Sequence, residues 1–116
     1  MATGKRYPDT PDGRYFVVRG RLWRKSNPNL PEAERQQLVN ELMDARRAVR
    51  DAKKSGNEAD MKAARAEVQR TKVALGERGP VWWTDGAPDQ NRKMVKNSTY
   101  AQHKYLYHEI DLSEEE

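Results

Sequence analysis

The chain has 116 residues, enough for one domain of ordinary size, and 35% of its residues are hydrophobic while 34% are charged. So small an apolar share predicts a thin core, as in proteins built from elongated helices or completed by a partner. The absence of cysteine excludes disulfides and thiolate metal sites. No apolar run approaches the ~20 residues that span a bilayer, so we predict a cytoplasmic protein without membrane association.

The net charge of +4 is unevenly distributed along the chain. Residues 1–25 carry seven Lys or Arg against two Asp, and residues 31–78 carry eleven basic against nine acidic groups. From residue 79 onward, four basic groups stand against seven acidic ones. Such polarity can steer a polyanion to the basic end, or pair that end with the acidic end or with another copy.

The first predicted elements are a flexible lead-in and a strand. Residues 1–13 contain two prolines and an Asp-Gly pair, which predict a mobile segment closing on a turn. Residues 14–25 are rich in aromatic and β-branched side chains and have no proline, as is typical of a strand. Its even-numbered face is the more apolar through Leu22, and Gly20 marks a bulge or a bend.

A helical hairpin is predicted over residues 31–76. The first helix covers 31–54, with Asn29 as its cap residue and Pro31 in its first turn. Its apolar residues recur at spacings of four and three, which predicts a seam packed against another helix. The seam consists of Leu38, Leu42, Ala45, Val49 and Ala52.

The second helix covers residues 57–76 and follows at once, because Gly56 can end the first helix and Asn57 can cap the next. So short a connection makes the two helices antiparallel neighbours. One helix can cover only one of the two apolar lines on its neighbour, so we predict a homodimer about a two-fold axis. The two lines are Met61, Ala64, Val68, Thr71 and Leu75, and the weaker Ala59, Ala63, Ala66 and Val73.

The rest of the chain is predicted as an aromatic turn with a short helix over residues 80–101, the helix covering 89–96. An acidic tail over 102–116 follows, either docked through its tyrosines or ordered only on a partner. The predicted fold is therefore mostly α within one domain, 1–116: an antiparallel helical hairpin with a small β or extended aromatic subdomain at its open end. Since the hairpin brings its two ends together, the three tryptophans should meet at one place.

Strand 14–25 is the first candidate site. Its arginines alternate with aromatic rings, the combination that single-stranded nucleic acid needs for phosphate contact and base stacking. Alternatively, the rings belong to the core and the arginines only solvate the strand. The binding residues predicted on this strand are Arg19, Arg21, Trp23 and Arg24.

Two further candidates lie in and just after the helical hairpin. Trp82 and Trp83 are adjacent, so one of them is an exposed binding anchor or fills a gap between elements. Alternatively, both pack against Leu22, Trp23 and the end of the hairpin. A basic row on the first helix (Arg46, Arg50 and Lys53) could contact a polyanion or an acidic helix, although such rows are commonly just solvated. The two histidines have poor spacing for a metal site, and no catalytic set has supporting context. We predict no metal, no cofactor and no enzymatic activity.

Two sequence blocks carry a resemblance. GRYFVVRGRLWR (13–24) and LGERGPVWWTDGAPD (75–89) resemble blocks of short bacterial proteins of unassigned function. The resemblance covers about residues 7–101 and implies an independently encoded bacterial protein. It implies no activity, so no functional residue is transferred to this chain.

The leading hypothesis is a non-enzymatic binding or adaptor protein of the bacterial cytoplasm that acts through protein–protein contacts. The alternative is a nucleic-acid-binding protein that uses strand 14–25 and the first helix. The acidic groups of the helices and of the tail oppose this alternative, so nucleic-acid binding should be weak and salt-sensitive.

Overall fold

The computed structural model describes residues 7–106. The chain divides into two compact units, one made of residues 26–84 and the other of the stretches that flank it, up to residue 25 and from residue 85. A single domain over residues 1–116 concerns the association of the two units and stays a prediction.

Residues 26–84 are built on two helices that pack against each other, α1 (Glu32–Ser55) and α2 (Glu58–Leu75). The predicted mostly α class and its helical hairpin are thereby confirmed. Gly56 ends α1 with a φ of 74°, the left-handed conformation that glycine adopts without steric cost. Asn57 caps α2, because its side chain accepts a hydrogen bond of 2.9 Å from the amide of Asp60.

The start of α1 differs from the prediction. Pro31 occupies the cap position with a ψ of 142°, and no side chain caps the first turn. Asn29 lies two residues before this cap, and its own amide donates to Asn27 Oδ1 at 2.9 Å. The carboxylates of Glu32 and Glu34 in the first turn supply the favourable charge at this helix end instead.

The predicted seam forms the core of this unit. Leu38, Leu42 and Leu75 form a buried cluster against which Leu30, Val39 and Val68 pack. Small residues complete the seam: Ala45, Ala52, Ala64 and Thr71 are buried. The second apolar line on α2 is exposed along its whole length, so the homodimer predicted to cover it stays a prediction.

The other unit contains a two-stranded antiparallel sheet, β1 (Tyr15–Val18) and β2 (Arg21–Arg24). The single strand predicted over residues 14–25 is corrected at its centre. Arg19 and Gly20 have φ values of 52° and 79°. Two central residues with positive φ form the tight hairpin turn whose twist matches that of the paired strands. Gly20 therefore reverses the chain rather than bending it.

Strand pairing also corrects the predicted buried face. The register joins Tyr15 to Arg24 and Val17 to Leu22, an odd-numbered residue to an even-numbered one in each case. The buried face is therefore odd on β1 and even on β2. Tyr15, Val17 and Leu22 are each 0% exposed.

Extended chain covers both edges of the β-hairpin. On one edge the Val17 amide donates to the Pro8 carbonyl at 2.9 Å. On the other, Leu22 donates to the Lys93 carbonyl at 2.8 Å and accepts from the Arg92 amide at 2.7 Å. The helix predicted over 89–96 does not form, because this backbone pairs with β2, and only Val95–Asn97 adopts a 3₁₀ turn.

No helix within residues 7–106 is both long enough and apolar enough to cross a membrane. Most of the predicted tail, residues 107–116 with His108, lies outside the described residues. The part of the tail that is described includes Leu106, which is 0% exposed.

Candidate binding surfaces

Three of the four binding residues predicted on strand 14–25 lie at the surface of the β-hairpin. Arg19 is exposed in the turn, and Arg21 is exposed at the start of β2, where its Nη1 donates to the Arg92 carbonyl at 2.6 Å. Trp23 is 37% exposed and lies opposite Phe16, whose ring centroid is 6.3 Å from that of Tyr7. An aromatic surface beside cations is therefore present on this face.

Arg24, the fourth residue, lies in the interior. It is only 3% exposed, and its Nη1 lies 3.2 Å from Asp89 Oδ2. Its amide donates to Asn91 Oδ1 at 2.9 Å. The Asp89 carboxylate also accepts from the Tyr15 hydroxyl at 3.4 Å, and that hydroxyl in turn accepts from the Gln90 amide at 2.7 Å. The structure thus makes Arg24 a structural residue of this unit, not a surface cation.

A second polar pair, between the buried Tyr100 and the exposed Asp12, joins the two stretches of the same unit. The Tyr100 hydroxyl donates to Asp12 Oδ2 at 2.6 Å, and the Thr10 hydroxyl donates to the other carboxylate oxygen at 2.7 Å. Burial alone raises the pKa of Asp12, but these two hydrogen bonds and that of the Arg14 amide outweigh burial and hold the pKa below its usual 3.8. Burial, followed by the bond to Asp12, raises the pKa of Tyr100 above its usual 10.

These opposite shifts predict a pH dependence of stability. Tyr100→Phe should remove its alkaline part and reduce its acid part, since Thr10 and Arg14 still donate to Asp12. The Asp12 contribution to the free energy of unfolding is present above pH 3.8 and is lost as pH falls toward the depressed folded-state pKa. The Tyr100 contribution to the free energy of unfolding is present below pH 10 and is lost as pH rises toward the raised folded-state pKa of Tyr100. Tyr100→Phe should cost roughly 1–3 kcal/mol on the plateau between these values, and less on either side.

Urea titrations of both proteins across this pH range measure the difference. Tyr105→Phe is the matched control, because the Tyr105 hydroxyl donates to the Asp9 backbone carbonyl at 3.0 Å and not to a carboxylate. Its cost should not change as pH falls through 3.8. A Tyr100→Phe cost that is equally flat through that range would contradict the assignment.

Trp82 and Trp83 pack within the helical unit. Their ring centroids are 5.1 Å apart at an interplanar angle of 82°, an edge-to-face pair. Trp83 is 8% exposed and Trp82 is half-buried. Trp82 lies against Gly76 so closely that a Cβ there would come within 3.0 Å of its Cδ1. The predicted meeting of these rings with Trp23 concerns both units and stays a prediction.

The helical hairpin sorts its charges onto opposite sides. Two residues along an α-helix turn by about 200°, so Asp44 and Arg46 lie on opposite sides of α1. Arg65 and Glu67 are separated in the same way on α2. Two grooves between the helices result, one lined by arginines and the other by alanines and carboxylates.

The basic groove has a volume of about 530 Å³ and no carboxylate in its lining, which consists of Arg46, Val49, Arg65, Val68, Gln69 and Arg78. Arg46 belongs to the predicted row, whose other members Arg50 and Lys53 are also exposed. Arg65 and Arg78 were not predicted, because they come from α2 and from the segment after it. Folding the hairpin brings them beside the row.

The alanine groove, on the opposite side, has a volume of about 930 Å³. Five alanines form its apolar lining, and its charged lining is five carboxylates and one guanidinium. The alanines are Ala45, Ala48, Ala52, Ala63 and Ala64, and the charged residues are Glu41, Asp44, Asp51, Asp60, Glu67 and Arg70. This groove was not predicted, although the seven-residue spacing of its acids on each helix is a signal for it.

Arg70 bridges the two helices at one end of the alanine groove. Its Nη2 donates to Glu41 Oε1 on α1 at 2.7 Å and to Glu67 Oε1 on its own helix at 2.9 Å. Hydrogen bonds from Arg70 lower the pKa of both carboxyls, and the same bonds raise the pKa of Arg70. Asp51 and Asp60 form no ion pair within residues 7–106, so negative charge persists toward the other end.

Within the described part of the chain, no three His, Cys, Asp or Glu side chains group as metal ligands. No family model, curated protein or solved structure matches this chain. The resemblance to short bacterial proteins therefore stays a prediction, as do the predictions of no cofactor and no enzymatic activity.

Proposed function

We propose that this chain is a non-enzymatic binding protein of the bacterial cytoplasm whose alanine groove docks a cationic amphipathic helix of a partner protein. The observation that carries the proposal is the composition of that groove, in which alanines from both helices are combined with an excess of carboxylates. Ala48 and Ala63 are exposed within it. The proposal keeps the leading sequence hypothesis and gives it a surface.

Alanine suits the docking of a third helix. The distance between packed helix axes is set by the side chains at the contact, about 8–10 Å, and alanine permits the close end of that range. A helix laid along the groove would convert the two-helix unit into a three-helix arrangement and bury apolar surface of both partners.

The charge of the groove selects the partner. Five carboxylates against one guanidinium favour a helix that flanks its small or apolar face with Lys or Arg. An acidic helix would be repelled. Two copies of this chain that met through the same groove would also place like charges against each other, which disfavours self-docking here.

A synthetic probe tests the groove directly. We expect a cationic amphipathic peptide, with an alanine-leucine face flanked by lysines, to bind the full chain in a titration by calorimetry. The same peptide with glutamate in place of lysine should not bind. Ala63→Lys adds bulk and positive charge inside the groove. It should lower the affinity for the cationic peptide by about tenfold or more, which is about 1.4 kcal/mol.

Ala66→Lys is the matched control. Ala66 is an exposed alanine on the same helix, three residues away and outside the groove lining, so the net charge changes equally. Its effect should stay within about twofold. Equal weakening by both variants, or binding of the glutamate peptide, would reject the alanine groove as a docking site.

Nucleic-acid binding through strand 14–25 is the second candidate. Arg21 and Trp23 at the surface support it. The burial of Arg24 counts against nucleic-acid binding, because the strand then has one surface cation fewer than predicted.

A further inference from the structure

The arginines of the helical unit fall into two groups that differ in their ion pairs. Arg35, Arg47 and Arg70 each pair with a carboxylate. The arginines of the basic groove (Arg46, Arg65 and Arg78) and the neighbouring Arg50 form no ion pair within residues 7–106. Five carboxylates of the two helices line the opposite groove and none lines this one, so the basic groove keeps an excess of positive charge.

Like charges are crowded around this groove. Burial lowers the pKa of Lys72, and although Glu77 opposes the shift, the charges of Arg78 and Arg46 lower the pKa further. Arg46 and Arg78 are therefore close enough to act on one lysine from two different segments. A bound anion would relieve this repulsion, since it removes an electrostatic cost that the unbound protein carries.

The chemistry of the lining identifies the anion. Three of its six side chains are guanidinium groups, and Gln69 accepts from Arg78 Nη1 through Oε1 at 2.8 Å, which leaves its amide NH₂ as a further donor. Guanidinium groups bind phosphate oxygens in a bidentate fork. We propose that the basic groove binds the phosphodiester backbone of a nucleic acid without regard to base sequence. It lies opposite the alanine groove and does not depend on the function assigned there.

The lining also argues against an acidic protein helix as the occupant. A docked helix needs apolar contact along its length, and only Val49 and Val68 offer it in the basic groove. A phosphate backbone needs donors on both walls, and the groove has Arg46 on α1 facing Arg65 on α2. No aromatic side chain lines it, so base stacking and the sequence preference that can follow from it are not expected.

A matched pair of double variants tests the proposal on the full chain. Arg46→Gln/Arg65→Gln removes two groove cations, and Arg35→Gln/Arg47→Gln removes two ion-paired cations of α1, so the net charge changes equally. Labelled oligothymidylate and a labelled duplex are titrated between about 50 and 200 mM salt. We expect the groove variant to bind about tenfold or more weakly at the lowest salt, and the control to bind within about twofold of the parent.

The salt dependence of binding distinguishes a loss of phosphate contacts from a folding defect. The slope of log K against log salt should become shallower by about two for the groove variant and stay unchanged for the control. A folding defect would lower the amplitude of binding without this change in slope. Equal losses of affinity in both double variants would overturn the proposal, since net charge and not the groove would then drive binding.

Two further results would also overturn it. Poly-glutamate that displaces oligothymidylate at equal charge concentration would show that the groove accepts any polyanion. Light scattering of the protein alone could reveal salt-sensitive oligomers that Arg46→Gln/Arg65→Gln abolishes. In that case the occupant is a second copy, whose alanine groove supplies the negative charge.

Discussion

Replacement of Leu42 by aspartate should unfold the helical hairpin, with a loss of about 3–5 kcal/mol in the free energy of unfolding. Leu42 is 6% exposed and shares a buried cluster with Leu38 and Leu75. The substitution removes apolar contacts from a thin core and places an uncompensated carboxylate among leucines. Domains of this size are commonly stable by only about 5–15 kcal/mol, so the loss is a large share of the total.

The next residue along the chain provides the control. Met43 is 48% exposed on the same helix, so Met43→Asp introduces the same charge with a change of only about 0.5 kcal/mol. Urea unfolding followed by circular dichroism at a helical wavelength measures both, because the two long helices dominate the signal. Equal midpoints for the two variants would mean that Leu42 does not belong to the seam.

The helices could be predicted because their signals are local. The spacing of Leu38, Leu42 and Ala45 defines a buried stripe whatever the rest of the chain does, and Gly56-Asn57 fixes the reversal within a few residues. The cap of α1 could not be predicted as well. Asn29 was the predicted cap residue and Pro31 a predicted first-turn residue, and which residue takes the cap position depends on where the backbone leaves the extended conformation.

The β-hairpin was not predicted because an unusual residue occupies its turn. Positive φ is expected of glycine, asparagine or aspartate, and here Arg19 adopts it at 52° beside Gly20. Without that turn the alternation of residues 14–25 looks like one strand, and the buried face is assigned to the wrong parity on β1. The edge partners of the hairpin come from distant segments and leave no local trace.

The candidate surfaces also differ in how far local sequence signals predict them. The row of Arg46, Arg50 and Lys53 could be predicted from helical spacing, since it lies on one element. Arg65 and Arg78 join it only through the packing of α2 against α1. Arg24 was wrongly predicted to be at the surface for a related reason. Its carboxylate partner, Asp89, lies far along the chain, and no local feature of the sequence marks Arg24 as buried.

Arg24→Glu should therefore unfold the β-hairpin unit rather than only weaken a binding surface. The side chain of Arg24 is 1% exposed and that of Asp89 is 43% exposed, so the ion pair consists of a buried cation and a partly solvated carboxylate. Glutamate would place a carboxylate in the interior, against the partly exposed carboxylate of Asp89 and close to the Tyr15 hydroxyl. Breaking a buried pair by removing one partner costs about 3–5 kcal/mol, and a like charge adds to that cost.

Amide hydrogen exchange distinguishes this outcome from a loss of binding. Protection of the Val17 and Leu22 amides, which bond to Pro8 and Lys93 across the hairpin edges, should fall by more than about a hundredfold in Arg24→Glu. Arg21→Glu makes the same charge change at an exposed position of the same strand and should leave that protection within about threefold. Arg24→Met should fall between the two, since it keeps apolar packing and leaves Asp89 access to water. Unchanged protection in Arg24→Glu would mean that Arg24 lies at the surface and remains a candidate binding cation. The expected loss would instead mean that any defect of this variant in nucleic-acid binding reports folding, and that only Arg21→Glu tests the strand as an interface.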